Sequence, residues 1–417
     1  MLSEQFLHGV DVALADSDEQ RARRYPGPST GRQPVHTVYI PADRFDDRTV
    51  AQWGQQARDA LARFGEDVEE FAVLTEITDS DPVQVLDRMG AKLEREPIED
   101  VRVDLEDGYG IRPDDEEDEH ARAAGAVLAR AAAAGGGAPF CGVRIKCLEP
   151  KVRRRSIRSL QLIVEAMLGA GGVPAGFVFT LPKVTAVDQV AAMVSLCEAV
   201  ERDAGLEFGR LRFEIQIETT QAILGADGTA TVALMLDAAA GRCTALHYGT
   251  YDYSAAAGIS AQFQSMEHPA ADYAKAVMQV AAAGRGVSLS DGSTNIVPVG
   301  DRAEVHSAWS LHARLVRRSL QRGFYQGWDL HPAQLPTRFV ATYAFYRVGM
   351  PAAALRLRRY LDGAVGGVLD EPATAQALAG YLCRGLDCGA VDVSEVYGAA
   401  GVSREQLDRL RLPAHLL

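Results

Sequence analysis

The sequence predicts an α/β protein: a TIM-type (β/α)8 barrel followed by a C-terminal helical extension. Three observations carry this. Short apolar runs alternate with helical stretches between residues 35 and 337, the pattern of a parallel sheet covered on both faces. No Gly-x-Gly-x-x-Gly follows the first strand, which an open dinucleotide-binding sheet would need. Charged residues stand at the ends of many strands rather than at one crevice, as the mouth of a barrel requires.

The elements follow in order. Residues 1–34 are polar, and RARRYPGPSTGRQP marks a loop or mobile N-terminal arm. VHTVYIP (35–41) is a strand stopped by Pro41, and a helix follows over 49–64. FAVLTEI (71–77) has strand character, either as a further strand outside the barrel or as a rival for its first one. Asp81-Pro82 opens a helix to residue 95. VRVDL (101–105) is a strand. The acidic run Asp114–Glu119 is the solvated first turn of an Ala-rich helix that ends at the GGG of 135–137. Strands CGVRIK (141–146), GFVFTLPK (176–183), LRFEIQIE (211–218) and CTALHYGTYD (243–252) then alternate with helices over 156–169, 186–203, 229–240 and 269–283. Residues 284–294 form a loop over the mouth, as lid or connector. NIVPV (295–299) and YQGWDLHP (325–332) are the last strands, with a helix at 304–322 between them. Residues 338–417 are helical and poor in strand signals.

Composition narrows the function. A net charge of −13 argues against a nucleic-acid partner. No apolar run reaches the ~20 residues of a membrane span, and no basic-then-apolar leader opens the chain. The six cysteines include no CxxC pair and sit mostly in apolar runs, which points to reduced thiols and a soluble cytoplasmic protein.

The strand ends hold the chemistry. VRVDL leads into Glu106 and Asp107. GVRIK carries Arg144 and Lys146. GFVFTLPK ends in Lys183, FEIQIE in Gln216 and Glu218, ALHYGTYD in Asp252, and the last strand in His331-Pro332. Carboxylates converging from several strands repel one another and raise each other's pKa, and a bound cation removes that cost. Oxygen ligands without clustered His or Cys favour a hard ion, Mg²⁺ or Mn²⁺. Each residue also has a structural reading. Glu218 could cap a helix or form an ion pair, GTYD could be a plain turn, and Arg144 could pair with a neighbouring acid. Lys146 and Lys183 read as structural or rim residues and His247 as a core histidine. KVRRR (151–155) is either a helix start or a phosphate site.

The order DLED, VRIK, LPKV, IQIET, YGTYD and HPAQ, from about residue 35 to 336, resembles the superfamily of citrate lyase beta subunits, malyl-CoA and citramalyl-CoA lyases and metal-dependent 2-keto-3-deoxy acid aldolases (HpcH/HpaI aldolase/citrate lyase-like). The resemblance implies metal ligation by Glu218 and Asp252 and substrate binding by Arg144, with Gln216 and Lys183 beside the substrate. It places the acidic pair Glu106 and Asp107 at the proton-transfer position. The aldolase branch has a histidine where Asp107 stands, so this chain is closer to the lyases there. The Gly-Lys that precedes Ile-His-Pro in the acyl-CoA lyases is replaced by Gly327-Trp328-Asp329, which weakens the case for a CoA thioester. The expected activity is a Mg²⁺-dependent carbon–carbon lyase or aldolase acting on a small hydroxy or keto acid through an enolate. Two alternatives stand beside it: an enzyme using phosphoenolpyruvate or another phosphorylated acid, and a non-catalytic ligand-binding or assembly subunit. The expected partners are a small-molecule carboxylate and further copies of the chain in a homo-oligomer.

Overall fold

The computed structural model describes residues 2–363 and 371–412. The chain opens with α1 (Glu4–Arg24), capped by Ser3 and exposed along its whole length; the helix reaches only the first four residues of RARRYPGPSTGRQP, and the rest of that stretch carries no helix or strand. The barrel begins at β1 (His36–Pro41), followed by α2 (Thr49–Phe64), α3 (Val68–Leu74), α4 (Pro82–Arg95) and β2 (Asp100–Asp104). Next come α5 (Asp114–Ala133), β3 (Phe140–Arg144), α6 (Arg153–Gly169), β4 (Phe177–Leu181), α7 (Val187–Ala204) and β5 (Phe213–Ile217). The second half holds α8 (Thr220–Ile223), α9 (Thr231–Ala238), β6 (Cys243–Tyr248), α10 (Thr250–Ala256), α11 (Pro269–Ala282), β7 (Ser288–Ser290), α12 (Arg302–Gln321) and β8 (Gly327–Asp329). Helices α13 (Leu335–Leu361), α14 (Pro372–Cys388), α15 (Val393–Ala400) and α16 (Arg404–Leu410) complete it.

The strands form one parallel sheet of eight in the order β7-β6-β5-β4-β3-β2-β1-β8. Asp291 N–H donates to Gln326 O at 2.8 Å and Trp328 N–H to Gly292 O at 3.2 Å, which closes β7 onto β8. The expected (β/α)8 barrel with C-terminal helices is therefore the fold. Two expected strands are not strands. FAVLTEI lies largely in α3, because Asp67 accepts from the backbone N–H groups of Glu69 and Glu70 and starts a helix there. The seventh barrel strand is Ser288–Ser290, inside the stretch read as a mouth loop, while 295–299 carries no strand.

Both faces of the strands are buried, and they divide by chemistry. On β5, Phe213, Ile215 and Ile217 belong to the apolar core. Glu214 on the opposite face accepts from Nε and Nη2 of Arg102 at 3.0 and 2.7 Å. Since β2 and β5 are not neighbours in the sheet, only the barrel interior can bring these two together. Arg102 also donates to Asp100 at 2.7 Å, and Thr180 and His247 close on Glu214. The interior is thus a charge-paired column rather than the stack of branched aliphatics common in such barrels. Buried charges persist when every group is paired and hydrogen-bonded.

Helix α13 runs unbroken across residue 337, where the sequence reading places the end of the barrel. Its first half packs on the barrel through Phe339, Val340 and Tyr343. Its second half builds a separate small core with α14, α15 and α16 around Leu357, Leu382, Val396 and Leu407. Residues 364–370 and 413–417 of the C-terminal segment lie outside the described residues. None of the six cysteines is paired in a disulfide. Among the described residues no helix is long and apolar enough to cross a membrane.

Candidate active site at the C-terminal end of the barrel

Glu218 follows the last residue of β5, and its side chain is 2% exposed. Oε1 accepts from the backbone N–H of Lys183 at 2.7 Å, and Oε2 accepts from Nε2 of Gln216 at 2.7 Å. The end of β6 lies hard against it. A Cβ on Gly249 would sit 2.5 Å from Glu218 Cβ and 2.9 Å from Oε2, so only glycine fits there. Burial pushes the Glu218 carboxyl up to about 8, with Glu106 and Asp252 adding to the effect and Lys183 and Arg144 opposing it. Gln216 Oε1 is buried and finds no hydrogen-bond partner among the described residues.

Lys183 follows β4 with φ at 51°, one of three non-glycine residues with positive φ among those described. Such a conformation costs roughly 1–3 kcal/mol and is held only where the surroundings demand it. Here it serves two contacts at once. The backbone N–H meets Glu218, and the ammonium lies 2.6 Å from Asp107 Oδ2, 2.8 Å from Glu106 Oε1 and 3.4 Å from Asp252 Oδ2. Burial alone would lower its pKa, but Glu218 and Glu106 outweigh that and raise it.

Arg144 ends β3 and is bound on two sides. Nε and Nη2 donate to the two oxygens of Asp104 at 2.7 Å each, and Cζ stands 4.7 Å from the centre of the Tyr39 ring. Nη1 reaches toward Glu106 Oε2 at 3.6 Å. Asp104 additionally accepts from the N–H groups of Glu106 and Gly108 at 3.0 and 2.8 Å, so one carboxylate shapes both the arginine and the acidic turn. Burial raises the Glu106 carboxyl, against the pull of Arg144 and Lys183. For Asp107 the same burial is outweighed by its bond from Lys183, and the net shift is downward.

The strand-end residues singled out in the sequence, Glu106, Asp107, Arg144, Lys183, Gln216, Glu218 and Asp252, therefore meet at one mouth. Asp252 stands in the first turn of α10 rather than on the strand, which stops at Tyr248. Lys183 is at the centre of the acids instead of the rim. The sequence reading gave no role in the site to Asp104, Tyr39 or Gly249. Period-two alternation from Arg102 puts Asp104 on the interior face and could have found it.

Other candidates lie elsewhere. Lys146 donates to Leu105 O and to Glu117 at 2.7 Å each, which makes Glu117 of the acidic run a buried ion-pair partner rather than a solvated side chain. In KVRRR, which opens α6, Arg155 is held by Asp118 and Arg153 Nε donates to Leu148 O at 2.9 Å. His247 is fully buried between Glu214 and Trp328. His331 caps the turn after β8 by accepting from Ala333 N–H.

As they stand, no three His, Cys, Asp or Glu side chains among the described residues form a ready cage for a metal ion. The donor set nevertheless fits a hard cation. It is all oxygen and holds more carboxylates than positive charges. It includes a buried glutamate whose ionised form is costly and a buried amide oxygen without a partner. Glu218 and Asp252, with Gln216 beside them, are the residues that could hold it.

The family model described as Domain of unknown function (DUF6986) matches residues 14–414. No curated protein matches the chain in sequence. Among solved structures, the chain is similar to Haloferax volcanii malate synthase in its lead(II) complex, with 16% identity, 88% of each chain covered and a TM-score of 0.48. The magnesium/glyoxylate complex of that protein gives 15% identity, 91% of this chain and 97% of the other, and a TM-score of 0.47. An HpcH/HpaI aldolase/citrate lyase family protein of Burkholderia cenocepacia gives 16% identity, 76% and 93% coverage, and a TM-score of 0.38.

Proposed function

The chain belongs to the DUF6986 family, and we propose that it is a divalent-metal-dependent carbon–carbon lyase or aldolase acting on a small hydroxy or keto acid. One observation carries the reading: at the ends of β2 to β6, Glu106, Asp107 and Asp252 gather on the Lys183 ammonium, Glu218 is held by the Lys183 backbone, and the Arg144 guanidinium stands beside Glu106. The motifs DLED, VRIK, LPKV, IQIET and YGTYD, quoted above for their family resemblance, each stand at the end of one of these strands.

Glu218 and Asp252 would hold Mg²⁺ or Mn²⁺. When bound, such an ion supplies positive charge against the oxygen of an enolate. The protein's own groups supply the rest. Asp104 and the Tyr39 ring fix the plane of Arg144, and its Nη1, 3.6 Å from Glu106 Oε2, is the group that would meet a substrate carboxylate. Glu106 or Asp107 takes the proton of the substrate hydroxyl in the cleavage direction. The carbon–carbon bond then breaks, the hydroxyl carbon leaves as a carbonyl, and the electron pair becomes the enolate of the other fragment. A proton returned to the enolate carbon completes the keto acid. Of the two acids, Glu106 has its pKa moved toward neutrality and is the better proton carrier.

The test is a titration of metal-stripped protein with Mg²⁺ and Mn²⁺, alone and with pyruvate, oxaloacetate, oxalate, phosphoenolpyruvate or acetyl-CoA, read as melting temperature. Stabilisation by metal with a keto acid or oxalate directs a retro-aldol search over free acids and their thioesters. Absence of any metal response in every combination overturns the reading.

A further inference from the structure

Lys183 touches both proposed metal ligands at once. Its backbone N–H is on Glu218 Oε1, and its ammonium is within ion-pair distance of Asp252 Oδ2. The same ammonium lies closer still to Asp107 and Glu106. A lysine at the rim would be expected to point its strongly hydrated head into water. This one is folded inward, on a backbone in the left-handed region, and ends among acids.

We propose that Lys183 is a built-in stand-in for the divalent cation. It neutralises the acids while no metal is held and has to withdraw from Asp252 for a metal to enter. The inference rests on the metal reading above and concerns only how this chain's own lysine acts toward that ion. The physical ground is exclusion. Carboxylate oxygens gather around a hard cation at roughly 2.0–2.6 Å. An ammonium already within hydrogen-bonding distance of Asp252, one of the two proposed ligands, cannot share that space. Charge acts in the same direction, since two cations among these acids repel each other strongly in a partly dry site. The route out is open. The Lys183 side chain is 26% exposed, and its partners Asp107 and Asp252 are 54% and 47% exposed, so the flexible stem can swing to solvent or to a substrate carboxylate. Metal affinity in the wild type is therefore held down by a residue of the site itself.

The experiment is calorimetric titration of metal-stripped protein with Mn²⁺ alone, comparing wild type, Lys183→Met and Lys183→Gly. The glycine variant removes the ammonium while easing the left-handed backbone, so a folding defect in one variant does not block the comparison. Lys151→Met, an exposed lysine outside the site, controls for the loss of surface charge. Both Lys183 variants are expected to bind Mn²⁺ at least tenfold more tightly than wild type, with Lys151→Met unchanged. Adding Glu218→Gln to Lys183→Met should abolish that binding. Affinities within threefold of wild type, or weaker, overturn the stand-in role and leave the metal site in place. No Mn²⁺ binding by any variant overturns both this inference and the metal reading. Tight binding that survives Glu218→Gln overturns it too, by locating the ion elsewhere.

Discussion

Arg144 and Asp104 are register partners on neighbouring strands, and the guanidinium grips both carboxylate oxygens at 2.7 Å. Both side chains are nearly fully buried. Removing one charge of such a pair leaves the other stranded, at a cost of about 3–5 kcal/mol. Asp104→Asn is expected to lower unfolding stability by that amount in urea. Arg144→Lys should lose comparably, because an ammonium cannot reproduce the two-pronged contact. A loss below about 1 kcal/mol for Asp104→Asn would show that this pair does not organise the site.

Gly249 and Glu218 give a steric prediction. The Cβ of Gly249→Ala would press on the glutamate's Cβ and Oε2, and overpacking of this kind costs typically about 1–3 kcal/mol. The variant should melt lower and lose part of its metal response, because Glu218 has to move. Gly398→Ala is the contrast: it lies in α15 with nothing within 4 Å of the new methyl group, and should be neutral or slightly stabilising.

Glu218→Gln and Asp252→Asn address the proposed ligands. Glu218→Gln should remove the Mn²⁺-dependent rise in melting temperature, and Asp252→Asn should reduce it sharply. The metal-free proteins should be little affected. Burial holds the Glu218 carboxyl at about 8, so it is largely protonated at pH 7 and an amide is a close mimic. Turning over the Gln216 amide, whose Nε2 now faces Glu218, brings its unpartnered Oε1 round to accept from the new amide. A large metal-free loss with Glu218→Gln would mean that the ionised form is what the fold requires.

His312 provides a pH signature remote from these acids. It is buried, with Nδ1 at 2.7 Å from Thr337 Oγ1 and Nε2 at 3.1 Å from Asp329. Burial lowers its pKa from the model-compound value of 6.5, with Arg338 and His36 acting the same way and Asp329 opposing. A histidine depressed in the folded state binds fewer protons folded than unfolded. Its contribution to stability is complete above the unfolded value and is lost as pH falls below it. The wild type should lose melting temperature between about pH 6.5 and 5 more steeply than His312→Gln. Equal slopes would remove His312 as the cause.

Much of this protein can be read from local pattern. The βα alternation identifies the barrel because strand and helix periods are properties of short stretches, and a parallel sheet with helices between its strands has few ways to close. The acids at the mouth are legible for the same reason: each stands at the end of an apolar run. Local pattern also misled in two places. Phe71 and Val73 alternate as in a strand, yet the cap on Asp67 makes the segment helical and leaves Val73 67% exposed. Ser288–Ser290 is too short and polar to stand out, and its strand character comes from pairing with β6 and closure onto Gln326.

Which charge faces which was settled by packing. Lys183 meets Asp107 and Asp252 across 76 and 69 residues of chain. Arg144 finds Asp104 forty residues back, and Gly249 makes room for a glutamate on the preceding strand. Periodicity can put a residue such as Asp104 on the interior face, but it does not name the partner, because each pairing depends on the stagger of strands around the barrel. The residue types and their order identify a mouth lined with acids. That a lysine stands among those acids, and which acid the arginine is committed to, is decided by how the strands are paired and staggered.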